Sequence, residues 1–327
     1  MVVGLSINKI NMLFILVILL CIVVLLAFIL NALYKHTNSY QNIFADTGKF
    51  KNDALIPNNL QLVNLGSNHP KFGFDYEGLD VKAMNWAVGP QSLEYDFAIL
   101  RKECHHLTNK AVVLIPICVL KFFLYRHPFS EHLKYYGILP QKDIANYSSK
   151  TKFKNIDFPL WFHPINLKRF IKDVPCKNAR LLWDENPMND VQLKADSNFW
   201  ISGWNREFDI DINHLVLSDK NKKNIQFNVK LLHEMIQFCL DRNLQPVVCV
   251  LPVSSYLGEK FSDSFVEDQI LAYINQANTQ NCHVFNYLKD KRFTDSSLYI
   301  NSFFFNLRGR KMFTKVMVEE LKDKNIL

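Results

Sequence analysis

From Met12 to Leu30 the chain reads MLFILVILLCIVVLLAFIL, nineteen residues without a charge. A helix rises about 1.5 Å per residue, so roughly 20 such residues cross the hydrocarbon core of a bilayer. A cleaved signal peptide has a shorter apolar region closed by a small-x-small site, whereas Asn31, Ala32, Leu33, Tyr34 and Lys35 follow here. A core helix is the alternative, but a helix apolar on every side has few ways to be buried in a domain of this size. Residues 1–35 are therefore expected to form a tail and an uncleaved signal anchor. Lys9 and the α-amino group flank one side of the run and Lys35 and His36 the other, so the positive-inside rule gives little contrast. A short tail before a long domain favours tail in, domain on the outer face.

Residues 36–58 are polar and poorly periodic, which suits a juxtamembrane linker, and residues 59–327 form the expected globular domain. The composition, 49% hydrophobic and 13% aromatic, supports a substantial core and excludes a disordered tail. The net charge of +7 is spread thinly, with short clusters only at KNKK (220–223) and RGRK (308–311). Nucleic-acid binding wants a concentrated basic face, so it is not expected; anionic lipid or an acidic polymer is a softer possibility. Of seven cysteines, none forms a C-x-x-C pair; Cys118, Cys239 and Cys249 lie in apolar runs as core thiols, and spacing leaves a disulfide among Cys104, Cys176 and Cys282 open. The histidines show no H-x-x-x-H pairing and there is no Gly-rich phosphate cradle, so neither a metal site nor a cofactor is expected.

Apolar strands alternate with amphipathic helices. Gln61–Leu65, AMNWAV (83–88), AVVLIPI (111–117), PVVCVLPV (246–253) and HVFNYL (283–288) read as strands; 92–104, 225–242, 263–278 and 309–321 read as helices. Strands apolar on both faces indicate a parallel sheet covered by helices on both sides, with its ligand site at the carboxyl ends of the strands. The turn G-S-N-H (66–69) follows the first strand at that position. Between about 125 and 215 the pattern loosens, and long insertions are expected over one end of the sheet.

NLGSNHPKFGFD (64–75), NWAVGPQSLEYDFAILRK (85–102), AVVLIPI (111–117), VVCVLPVSSY (247–256) and YINSFFFNLRGRKMFT (299–314) resemble, in order, consecutive blocks of membrane-anchored SGNH (GDSL-type) hydrolases. They are most similar to the branch found in bacterial surface-polysaccharide and teichoic-acid modification. The resemblance implies a flavodoxin-like three-layer α/β sandwich. It also implies a serine nucleophile after the first strand, an Asp-x-x-His near the C-terminus and an oxyanion site built from a glycine and an asparagine.

Carried over residue by residue, the catalytic positions are replaced. The nucleophile position, two after Gly66, holds Asn68, with Ser67 one place early; Asn301 stands at the acid position and Phe304 at the base position. Gly89 corresponds to the oxyanion glycine, and Asn205 in SGWN is the candidate amide donor. Each has an ordinary structural reading too: Gly66, Ser67 and Asn68 as turn residues, His69 as a loop histidine before Pro70, Gly89 as a turn former. Two functions follow. One is a non-catalytic member that binds a cell-surface glycan or a partner membrane acyltransferase. The other is an acyl-ester hydrolase or O-acyltransferase using Ser67 as a displaced nucleophile, with His69, His127, His163 or His214 as base. A purely structural anchor has no distinguishing residue.

Overall fold

The computed structural model describes residues 2–124, 129–172 and 187–327. It divides into two compact units: Met1–Ala45 with Ile144–Lys177, and Asp46–Asp143 with Asn178–Leu327.

The second unit holds a five-stranded, all-parallel sheet: β1 (Leu60–Asn64), β2 (Ala83–Asn85), β3 (Leu107–Pro116), β4 (Gln245–Val250) and β5 (Val284–Asn286), in the order β2-β1-β3-β4-β5. β3 and β4 are buried over Ala111–Pro116 and Pro246–Val250, the unbroken apolar runs that a doubly covered parallel sheet requires. β3 starts four residues before its apolar run, carrying Leu107–Lys110 as a partly exposed extension. One large cluster joins the sheet residues Leu62, Val112, Leu114, Val247 and Cys249 to Phe313, Met317 and Leu321 of the C-terminal helix. Parallel pairing sets Asn64 beside Asn85, and the Asn64 amide donates to Asn85 Oδ1 at 2.9 Å. Asn85 in turn donates to the carbonyls of Pro70 and Phe74, which holds the loop after β1 in one conformation.

The long helices are α1 (Val2–Lys35), α2 (Leu93–Glu103), α3 (Asp190–Phe208), α4 (Asp219–Leu240) and α5 (Leu307–Asp323). α3 lies in the stretch expected to be irregular. A capping box explains its start: Asn189 accepts from the Gln192 amide while Gln192 Oε1 accepts from the Asn189 amide. The expected helix at 263–278 is continuous in space but interrupted by a π-turn over Glu267–Leu271.

In the first unit α1 contains Met12–Lys35, long and apolar enough to cross a membrane. Its end packs Tyr34 against Tyr40 and Leu160 in a small buried cluster, Asn31 donates to the Asp157 carbonyl at 2.8 Å, and Trp161 donates to the Ala27 carbonyl at 3.1 Å. The stretch expected to be a linker carries short helical turns and is divided between the units: Tyr40 is buried in the first, Phe50 and Ile56 in the second.

Candidate functional site

A cavity of about 180 Å³ opens at the carboxyl ends of β1, β2 and β3, where open parallel sheets bind ligands. The loop after β1 contributes Ser67, Asn68 and His69; the loop after β2 contributes Pro90; the segment after β3 contributes Cys118 to Lys121 and Leu124. α3 adds Trp200, Trp204, Glu207 and Phe208, and the C-terminal loop adds Phe303 and Phe304. Asn68 and Phe304, the residues expected at the nucleophile and base positions, both line this cavity.

Ser67 is not set up as a nucleophile. Its Oγ accepts a hydrogen bond from the Gln91 amide at 3.0 Å, and no histidine among the described residues bonds to it. His69 is buried against Phe303, with ring centroids 4.2 Å apart, and its Nε2 lies 3.0 Å from the Pro252 carbonyl. A carbonyl only accepts, so Nε2 carries the proton. Burial drives the His69 pKa down to about 4, opposed only in part by that bond. The imidazole is thus neutral, with Nε2 committed to the backbone and Nδ1 left as a buried lone pair that reaches no hydrogen-bond partner, Ser67 included, among the described residues. Of the other candidate bases, His163 bonds to Asn155 in the first unit, His214 is exposed beside Asp211, and His127 lies outside the described residues. Cys118 lines the cavity, but desolvation pushes its thiol up to about 11, with Lys121 only partly opposing it, so it is not an activated nucleophile.

Gly89 and Asn205 are not placed as oxyanion donors. The Gly89 amide donates to Asp46 Oδ2 at 3.2 Å, and a Cβ on Gly89 would fall 1.6 Å from Asn68 Oδ1, so the Asn68 amide fills the space beside this glycine. Asn205 sits on a helix, not in a loop; its Oδ1 accepts from the Ile212 amide at 3.2 Å, and it is absent from the cavity lining. Asn301 does turn chemistry: its Oδ1 accepts from the amides of Phe303 and Phe304 at 3.0 and 2.8 Å, which sets both rings. Gly66 has φ +115°, a conformation that side chains with a Cβ rarely adopt.

Beneath the turn lies a buried polar cluster. Asp96 Oδ1 accepts from the Gly66 amide at 2.6 Å and from Gln91 Nε2 at 2.5 Å, while Oδ2 pairs with Lys121 Nζ at 3.1 Å. Lys121 also donates to the Gln91 carbonyl, and Tyr135 donates to Gln91 Oε1 at 2.6 Å. An ion pair this buried is tolerated only when its remaining polar atoms are satisfied. The sequence signal was a charge inside an apolar run, Asp96 in YDFAIL and Lys121 in VLKFFL.

The outer wall is aromatic. Trp200 lies 5.2 Å from Trp204, 5.0 Å from Phe303 and 5.8 Å from Phe304. Asp196 ties α3 to the C-terminal loop: its Oδ2 accepts from the Ser302 amide at 2.9 Å, from Ser302 Oγ at 2.5 Å and from Trp200 Nε1 at 3.1 Å. Fold and site together define an α/β protein with a parallel sheet and an aromatic cleft at its carboxyl edge. No family model matches the chain, and no curated protein does either.

Proposed function

We propose that this is a membrane-anchored, SGNH-hydrolase-like protein of the flavodoxin-like three-layer type that binds a cell-surface glycan without cleaving an ester. The observation that carries the reading is the state of the turn after β1. Ser67 Oγ accepts from a backbone amide, His69 is neutral and donates its Nε2 proton to the Pro252 carbonyl, and Phe304, which the resemblance sets at the base position, lines the cavity with a ring that takes no proton. Acyl transfer needs a nucleophile with a base in hydrogen-bond reach, and the cleft retains shape without that pair. Half-buried Trp200, backed by the buried rings of Trp204, Phe303 and Phe304, supplies apolar lining of the kind that accepts the C–H face of a sugar ring, with Asn68 and Ser67 as polar groups in the same cavity. The apolar run of α1 supports the membrane anchor.

The test compares the full chain, purified in detergent, with its Ser67→Ala variant on p-nitrophenyl acetate and an acetylated glycan. Both should hydrolyse at background. Turnover in the parent that disappears in Ser67→Ala would establish Ser67 as the nucleophile and replace the binding reading. Binding is read separately from tryptophan fluorescence on titration with surface glycans. Trp200→Ala should weaken it about tenfold, the equivalent of roughly 1.4 kcal/mol of lost ring contact.

A further inference from the structure

At the opposite end of the sheet, before β3 begins at Leu107, the turn Cys104–His106 closes α2 and faces the turn Asp53–Leu55. Asp53, Glu103, His105 and His106 each offer a metal-ligand atom there, all within 4.8 Å of one another. Glu103 is fully buried and His106 is 3% exposed. Glu103 Oε2 and His106 Nε2, 3.6 Å apart, have no hydrogen-bond partner among the described residues. Buried polar atoms of this kind are rare and call for a filler.

The orientation of both rings narrows the choice. His105 Nδ1 lies 2.9 Å from the Lys102 carbonyl, so Nδ1 carries the proton and Nε2 presents a lone pair. His106 Nδ1 lies 2.8 Å from Asn58 Oδ1, which sets the same tautomer. Each Nε2 then confronts a carboxylate oxygen, His106 with Glu103 at 3.6 Å and His105 with Asp53 at 3.9 Å. Acceptor set against acceptor is unfavourable unless something positive lies between, and these distances are too long for a direct hydrogen bond. They approach the ligand–ligand edge of a tetrahedral site, about 3.3–3.6 Å for bonds of about 2.0–2.2 Å. A histidine whose other ring nitrogen donates to a carbonyl is also the usual arrangement around a bound metal.

We propose that Asp53, Glu103, His105 and His106 form a structural Zn2+ site that clips the turn at 53–55 to the junction of α2 and β3. Two imidazoles and two carboxylates match a borderline divalent cation better than Mg2+ or Ca2+, which take oxygen ligands. Lys102 stands beside both carboxylates without occupying their second oxygens: it contacts Glu103 Oε1 and lies 3.7 Å from Asp53 Oδ1, leaving Glu103 Oε2 open, and it reaches the Phe50 carbonyl at 3.2 Å. With Lys102 counted, the two carboxylates leave one net negative charge for a dication.

The full chain, purified in detergent without a histidine tag and stripped with chelator, is titrated with Zn2+ by calorimetry and with Co2+ by visible absorption. One equivalent of Zn2+ should bind, Co2+ should give the intense band of a tetrahedral site, and Zn2+ should raise the melting temperature. His105→Ala and Asp53→Asn alter side chains that are 54% and 66% exposed, so both should fold, and each should lower Zn2+ affinity at least tenfold and abolish the thermal shift. Exposed His214→Ala should behave as the parent. Parent-like affinity in both ligand variants, no binding by the parent, or a weak octahedral Co2+ spectrum would each overturn the proposal.

Discussion

Asn68 and Gly89 are coupled as a pair. A methyl group on Gly89 would overlap Asn68 Oδ1, so Gly89→Ala must push the amide out of place; overpacking of this kind costs about 1–3 kcal/mol. Asn68→Ala in the same chain should recover part of that loss, and a double-mutant cycle on thermal stability should show the coupling. Additivity would mean the two do not share this space. His69 makes a second prediction. Its pKa is depressed to about 4 from an ordinary value of about 6.5, so the unfolded chain takes up its proton first as pH falls. The stability this group contributes is present above about pH 6.5 and is lost as pH falls toward 4, by about 3 kcal/mol in all. His69→Phe should flatten that part of the pH–stability curve, measured by thermal melts between pH 4 and 7. An unchanged slope would show that other groups carry it. Motif spacing singled out Asn68, Asn301 and Phe304, and Asn68 and Phe304 line the cavity while Asn301 sets the turn that carries Phe303 and Phe304. That spacing did not disclose what their neighbours do: the Gly89 amide turns to Asp46, and the Ser67 hydroxyl to the Gln91 amide. Those partners lie 43 and 24 residues away in sequence, and a motif carries no record of them.

The strands were legible because burial on both sides demands unbroken apolar runs, and such runs have few alternative readings. α3 was not, since its helical face carries Trp200, Trp204 and Phe208, aromatic residues at four-residue spacing, in a stretch that also holds charges and a glycine. Reading Asn189 and Gln192 as a capping box would have found its start and placed Asn205 on a helix. Asp196 is the contact through which this element builds the cleft, since one carboxylate oxygen holds Ser302 and Trp200 together. Hydrogen bonds to a charged group contribute about 1.5–3 kcal/mol each to a buried pairing, less where water reaches it. Asp196→Ala should therefore lower stability by a few kcal/mol at most and release the loop bearing Phe303 and Phe304. Tryptophan emission should shift to the red as Trp200 loses its packing against those rings. Emission identical to the parent would mean that the loop is held by packing alone.

For the whole molecule, residues 1–35 are not a detachable tail. Leu160, Trp161 and Asp157 contact the end of α1, through the Tyr34 cluster, the Ala27 carbonyl and the Asn31 amide respectively. The same segment exposes Phe153, Trp161, Phe162, Ile165 and Ile171, interleaved with Lys150, Lys152, Lys154, Lys168 and Arg169. Aromatic and aliphatic side chains among lysines suit the boundary between headgroups and acyl chains. Deleting 1–35 would bare Leu160, which is 2% exposed, and enlarge that apolar surface. The truncated chain should consequently remain partly bound to anionic lipid vesicles in a flotation assay and come off in high salt. Replacing 144–177 by a short linker in the same truncation should release the sheet-bearing unit as soluble protein. Complete solubility after removal of 1–35 alone would make α1 the whole anchor and leave 144–177 without a membrane role. Continued flotation after both changes would place a further lipid-binding surface on the unit that carries the cleft.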